Sequence, residues 1–294
     1  MSSLLQIFHV SFPGLGINDL EISRVAFELK LFGRNFPVYW YGIGYAVAFS
    51  LCLLLALRQC QKAGLEKDDI LDSYIALMIL GIVGGRLYYV LFSLDNYRGN
   101  WSAIFSFRDG GMGFYGGVIG GILAICLVAK RKKINLAKLI DFFAVYLPLG
   151  QAIGRWGNFF NQEAFGCNTT APWGMISEGT AAYLKQLGPP HDPTQPVHPT
   201  FFYEFLGNML IFALLLYLRK RGKSDKPYLI LATYLLSYGL LRFYVEGLRT
   251  DSLYIANTGI RVSQALSLLM VLVSAVYLLV ILRKQKDEQI RKES

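Results

Sequence analysis

Apolar residues come in long runs in this chain, and the runs are close to the length of a bilayer crossing. Seven reach roughly 20 residues, the span needed to traverse the hydrocarbon core. They cover about 39–57, 72–94, 113–129, 139–160, 200–218, 228–248 and 262–282. The third is the shortest. The seventh, VSQALSLLMVLVSAVYLLVIL, is the least interrupted. The pattern predicts an all-α polytopic membrane protein with seven transmembrane helices. Ahead of the first run, VAFELKLFGRNFPVYWYG alternates like one or two short amphipathic strands around a Gly-Arg-Asn turn. Between the fourth and fifth runs, residues 161–199 hold six prolines and form a small cap. The expected division is an N-terminal arm at 1–38, a seven-helix domain at 39–282 carrying the cap, and a tail at 283–294. Pro13, Gly14 and Gly16 break the N-terminus early, so no cleaved signal peptide is expected.

Charge orients these spans. Eighteen of the 29 Lys and Arg residues fall in segments 58–71, 130–138, 219–227 and the tail. Eight fall in the arm, 95–112, 161–199 and 249–261, and three lie inside spans. Basic loops stay in the cytoplasm. The tail is therefore expected inside, and the arm and cap outside. Clusters such as KRKK at 130–133 need no role beyond topology and contact with anionic lipid. Tyr39, Trp40 and Trp101 read as interface anchors.

Composition removes other classes. Hydrophobic residues make up 54% of the chain and charged ones 17%, so the net charge of +9 does not sit on the polar surface that a nucleic-acid binder needs. Four cysteines without Cys-x-x-Cys spacing and three histidines argue against a metal site. Glycine is abundant, and Gly81/Gly85 and Gly117/Gly121, the latter overlapped by Gly116/Gly120, are GxxxG pairs suited to close helix packing. The GxGxxG run at 111–116 opens a membrane helix, follows no strand, and is a chance match to a dinucleotide fingerprint.

Charges inside spans are costly, about 2.5–3.5 kcal/mol each near the bilayer centre. Here they are Arg86, Arg155, Glu204, Arg242 and Glu246. With the orientation above, all fall in the outer part of their spans, as do Tyr41, Tyr115, Tyr203 and Asn158. Six helices thus place polar groups at one depth. Tyr238, Arg242 and Glu246 share a helix face by i, i+4 spacing, Arg249 extends it, and Arg155 and Asn158 are i, i+3. Arginine forks match phosphate oxygens, and neighbouring glutamates would hold them in place. The layer reads as a phospholipid headgroup site. A transporter or flippase for an anionic lipid or solute is the alternative, although neither an internal repeat nor a midplane cluster is visible.

At GRWGNFFNQEAFG the sequence resembles the prolipoprotein diacylglyceryl transferase family, whose signature is met by Gly154, Arg155, Gly157, Asn158, Phe159, Asn161, Glu163 and Gly166. Further matches are WYG at 40–42, GGR at 84–86, DGGMGFYGG at 109–117, HPTFFYE at 198–204 and YGLLRFYVEGLRTD at 238–251. The resemblance implies transfer of the diacylglyceryl group of phosphatidylglycerol to the lipobox cysteine of a prolipoprotein signal peptide. It implies no cofactor and no nucleic-acid partner. Arg155, Arg242, Tyr115, Glu246 and Glu204 are the expected catalytic set. Arg155, Asn158, Glu163, Gly166, Tyr41, Arg86, Tyr238, Arg249, Asn161 and His198 are the expected substrate contacts. The family carries His-Gly-Gly where this chain has Tyr115-Gly116-Gly117. Either Tyr115 acts within the arginine field, as base or as hydrogen-bond donor to the phosphate, or the arginine field lowers the thiol pKa, with Glu204, Glu246 or His198 accepting the proton.

Overall fold

Each expected apolar run is helical in a computed structural model, which describes residues 7–31, 33–99, 101–105, 111–222, 226–255 and 258–293. Asp109 and Gly110 of the DGGMGFYGG match lie outside the described residues. So do residues 1–6, 32 and 100, 106–108, 223–225, 256–257 and 294. Seven helices are long and apolar enough to cross a membrane, and the chain is a multi-pass membrane protein. Their outward faces are apolar: Leu268, Leu269, Leu272, Val273, Val276 and Leu279 of the last helix all lie exposed, as lipid contact demands. The chain forms two compact units, residues 53–143 and the remainder.

The larger unit begins with two hairpins. Strands β1 (Ile7–Phe12) and β2 (Ile17–Ser23) pair antiparallel, as do β3 (Val25–Leu31) and β4 (Arg34–Tyr39). The second hairpin is the one anticipated from the alternation. Its turn contains Gly33 at φ 72°, a left-handed backbone that glycine adopts without penalty, and Arg34 and Asn35 already belong to β4. Helix α1 (Trp40–Gln59) starts directly after β4. In the cap, β5 (Ile176–Ser177) adds to β1, giving the sheet order β2-β1-β5. Ser177 then caps α6 (Glu178–Leu187) through a capping box with Thr180. Phe8, Val10 and Ile22 of the arm share one buried cluster with Phe159, Phe165, Met175, Leu184, Val197 and Phe201. Arm and cap therefore fold around a single core, which the one-strand-at-a-time pattern did not reveal.

Four more helices complete this unit: α5 (Leu147–Asn161), α7 (Thr200–Lys220), α8 (Leu229–Leu248) and α9 (Val262–Glu293). Helix α5 packs on α7, α7 on α8, and α8 on α9. The fourth apolar run is not one helix. It breaks at Val145–Tyr146 between α4 (Leu136–Ala144) and α5, where Pro148 has no N–H to offer the Ala144 carbonyl and its ring collides with that turn.

The smaller unit contains α2 (Lys67–Phe92) and α3 (Phe114–Lys132). Helix α2 begins five residues before its apolar run, because Glu66 and Asp69 form a capping box and Lys132 pairs with Asp72 at 2.7 Å. Glycine permits the α2–α3 approach, through the expected Gly116/Gly120 pair and through Gly84 on α2. A Cβ on Gly120 would lie 2.0 Å from the Leu80 carbonyl oxygen, and one on Gly84 2.4 Å from that of Gly116. At Gly117 and Gly121 the nearest neighbours stand at 3.6 and 3.4 Å. Close contact therefore runs through Gly84, Gly116 and Gly120. Replacing Gly120 by Ala is expected to destabilise the protein by about 1–3 kcal/mol, since backbone on both sides must move. Gly121→Ala should be close to neutral. Thermal unfolding in detergent compares them, and equal melting would contradict this packing.

Candidate active site

Helices α5, α7 and α8 bring four of the expected ionisable groups into contact. Glu204 on α7 is only 2% exposed and bridges two arginines. Its Oε1 accepts from Arg242 Nη1 at 2.6 Å, and its Oε2 stands 2.5 Å from Arg155 Nη2, a charge contact outside hydrogen-bond angles. Arg242 Nη2 donates to Glu246 Oε2 at 2.5 Å, one turn along α8. The four charges cancel. A guanidinium carries five N–H donors, so these contacts leave each arginine with donors for a further anion. Tyr238 lies beside Glu204, Arg155 and Arg242. Arg261, ahead of α9, donates to the Glu246 carbonyl.

The end of α5 extends the network. Arg155 Nη1 donates to Asn158 Oδ1 at 3.3 Å, and Asn158 and Asn161 both donate to Glu163 Oε1, at 3.0 and 3.1 Å. Glu163 folds back onto the helix because Gln162 and Ala164 both take left-handed backbone, at φ 53° and 59°. Gln162 is held there by its own side chain, which donates to the Phe159 carbonyl and accepts from Ser177. Arg24, between β2 and β3, donates to Asn161 Oδ1 at 3.4 Å. Sequence reasoning counted Arg24 only as a loop charge, because nothing local links a turn residue to α5.

Two glycines of the signature, Gly157 and Gly166, are spatial requirements, whereas a Cβ on Gly154 would meet nothing within 4 Å. A Cβ on Gly157 would sit 2.0 Å from the Tyr41 ring, so Tyr41 of α1 packs on the bare backbone of α5. The Tyr41 hydroxyl meets that of Tyr45 at 2.9 Å. Gly166 lies where three segments cross. Its N–H donates to the His198 carbonyl at 2.9 Å, and the neighbouring Cys167 N–H to the Leu248 carbonyl at 2.7 Å. A Cβ there would meet His198 Cβ at 2.7 Å.

Other expected residues are engaged differently. Arg249 forms a bidentate pair with Asp251, Nε at 2.8 Å and Nη2 at 2.7 Å. This holds the Asp251 carboxyl below its ordinary pKa despite its partial burial. His198 Nδ1 is 2.9 Å from the Tyr203 hydroxyl, which accepts from Trp173 Nε1 at 2.6 Å. Burial lowers the His198 pKa and favours the neutral ring. Trp173 was not anticipated, since nothing in the cap sequence marks it as a partner of α7.

Arg86 and Tyr115 belong to the smaller unit. Arg86, buried, donates to the carbonyls of Ala103 and Ile104 at 2.7 Å and of Gly111 at 3.0 Å, and lies over the Tyr97 ring. It thus gathers the backbone between α2 and α3. Tyr115 opens α3 with its side chain exposed, beside Tyr88 and Phe114. Among the described residues no group of three or more His, Cys, Asp or Glu is arranged for a metal.

The family model described as prolipoprotein diacylglyceryl transferase matches residues 25–280. The phosphatidylglycerol–prolipoprotein diacylglyceryl transferase of Finegoldia magna is 39% identical over 255 residues, covering 87% of this chain and 94% of that protein. Its namesake in Clostridioides difficile is 39% identical over 266 residues, 90% and 98% of the two chains. That of Oceanobacillus iheyensis is 39% identical over 265 residues, 88% of each.

Removing one member of a buried ion pair strands its partner, at about 3–5 kcal/mol. Glu204→Ala leaves two arginines short of a counter-charge and should cost about that much stability. Glu163→Gln, on an exposed side chain, should cost far less. Chemical denaturation of the two variants measures the difference, and a stable Glu204→Ala protein would show that the cluster does not hold the helices.

Proposed function

The chain belongs to the prolipoprotein diacylglyceryl transferase family, and from that premise we propose that the Arg155–Glu204–Arg242–Glu246 cluster is where phosphatidylglycerol gives up its diacylglyceryl group. The activity is diacylglyceryl transfer from phosphatidylglycerol to prolipoproteins, the first step of lipoprotein maturation, and the family assignment selects transfer over transport. The acceptor is the lipobox cysteine. Its sulfur forms a bond to the terminal glycerol carbon of the diacylglyceryl group as the bond from that carbon to the phosphate oxygen breaks. The electron pair leaves on that oxygen, the phosphodiester becomes a phosphate monoester, and the thiol proton passes to an acceptor. Thioether lipid and glycerol phosphate result.

The observation that carries this reading is the carboxylate of Glu204 held between two arginines of separate helices, both of them matched to the family motifs. The leaving phosphate gains one negative charge, and fixed cations at that point lower the barrier more than mobile ones, because they need no reorganisation. Glu204 and Glu246 keep the guanidinium planes aimed until the phosphate arrives. Asn158, Asn161 and Glu163 position Arg155, and Gly166 sets the spacing of the segments around it. Tyr41, Tyr238, His198, Arg86 and Arg249 are assigned to substrate contact or its support. A thiol of pKa about 8.5 is little ionised at neutral pH, and the arginine field favours its thiolate. Glu204 and Glu246 are the nearest proton acceptors. Tyr115 carries a hydroxyl able to donate a hydrogen bond and is assigned donation to substrate. The split of loop charges supports a site open to the outer leaflet of the inner membrane, with the N-terminus outside and the tail in the cytoplasm.

The test is a proteoliposome assay with glycerol-labelled phosphatidylglycerol and a lipobox peptide. Labelled thioether peptide is expected, and its absence with folded protein would overturn the reading. Arg155→Lys should lower kcat/KM by about a hundredfold, because an ammonium cannot reproduce the planar fork at a site worth about 2.7 kcal/mol or more; near-normal turnover would remove Arg155 from the phosphate. Tyr115→Phe should lower it about tenfold, the value of one hydrogen bond to a charged oxygen. Unchanged turnover would take Tyr115 out of the reaction.

A further inference from the structure

Beneath the ion cluster lies a second polar layer that the phosphate does not use. Contacts along α5 and α7 pair Phe159 with Phe201, then Arg155 with Glu204, so the two helices run antiparallel. By helix register the next rung, one turn or about 5.4 Å further from the cap, puts Gln151 of α5 and Asn208 of α7 at one level. On α8 the same step leads from Arg242 to Tyr238. Asn208 is 0% exposed, and its Nδ2 donates to the Glu204 carbonyl at 2.8 Å, which fixes the orientation of the amide. Its Oδ1 is buried with no hydrogen-bond partner among the described residues, and so is the Oε1 of Gln151. The Gln151 side chain hydrogen-bonds the Tyr234 hydroxyl through its amide nitrogen, which leaves Oε1 as its unmatched atom. Buried carbonyls are seldom left unmatched, since an acceptor without a donor loses its hydration for nothing.

We infer that Asn208 and Gln151 form the subsite that reads the headgroup glycerol of the donor lipid, accepting hydrogen bonds from its two hydroxyls. This rests on the function proposed above and adds the origin of headgroup selectivity. Two bare acceptors require a donor. The acyl esters of a phospholipid have none, so the diacyl end cannot satisfy them. An ammonium headgroup has donors but would sit next to two guanidiniums. A glycerol diol is neutral, and its hydroxyls stand a few bonds from the phosphate, about the one helix turn (~5.4 Å) that separates the two layers. The lipid thus binds headgroup first, with phosphate at Arg155 and Arg242 and glycerol against Asn208 and Gln151.

The test compares phosphatidylglycerol with phosphatidylpropanol, which keeps the phosphate and loses both hydroxyls, in the proteoliposome assay. Wild-type kcat/KM should favour phosphatidylglycerol about tenfold or more, the value of a lost hydrogen bond that leaves a buried acceptor bare. In Asn208→Leu that preference should collapse towards unity, and Gln151→Leu should reduce it independently. The preference is a ratio within one protein, so lower stability alone does not move it. Equal use of both lipids by wild type, or full preference in every folded variant, would overturn the subsite while leaving the transferase reading intact. No transfer from either lipid by folded wild type would overturn both.

Discussion

Everything around the site depends on one carboxylate that has no access to water. Glu204 is buried in a helix bundle whose outer faces are hydrocarbon-like, and an isolated charge there would be neutralised or expelled. Arg155 and Arg242 make its burial tolerable, and they come from helices on either side of α7. The reverse also holds, because two arginines brought this close would repel without Glu204 between them. The cluster is therefore a mutual constraint on α5, α7 and α8. It sets their rotation about their own axes, and it leaves a preorganised cationic surface whose local charge is nonetheless balanced.

That balance matters for the chemistry. A site of bare arginines would hold a phosphate monoester product as firmly as it helped to form it. On the function proposed above, carboxylates as resident partners give the arginines an arrangement to return to when product leaves. The surrounding second ring works the same way at lower charge. Asn158, Asn161 and Glu163 carry the arrangement from Arg155 out to Arg24 in the arm, so the small sheet of β1, β2 and β5 is coupled to the bundle through hydrogen bonds as well as through its shared apolar core.

Much of this was legible before any coordinates. The spans were visible because a bilayer-crossing segment must be apolar for some twenty residues, a constraint written in consecutive positions. Arg155, Glu204, Arg242 and Glu246 stood out because charge inside such a run is expensive. The exceptions have local causes that only neighbouring backbone reveals. The fourth run broke at Tyr146 because Pro148 withholds a donor from a turn that is otherwise apolar and helical. The close glycine contact uses the Gly116/Gly120 pair against Gly84, and not Gly81 or Gly117/Gly121, because every glycine in GIVGG and GGVIGG suits a GxxxG spacing while only the crossing geometry selects which face touches.

The sequence by itself determined the number of spans, their order, the charge bias between the two sides and the four ionisable groups of the cluster, though not the buried Asp69 and Asp141. All of these follow from the composition of contiguous stretches measured against a lipid solvent. Only the tertiary structure decided who pairs with whom: that Glu204 bridges Arg155 and Arg242, that Arg249 turns to Asp251, that Arg24 reaches Asn161, and that Gln151 and Asn208 point unmatched carbonyls beneath the ion cluster. These contacts join residues between two and 137 positions apart. Their geometry depends on helix rotation and on the left-handed turn after α5, neither of which leaves a periodic trace in the chain.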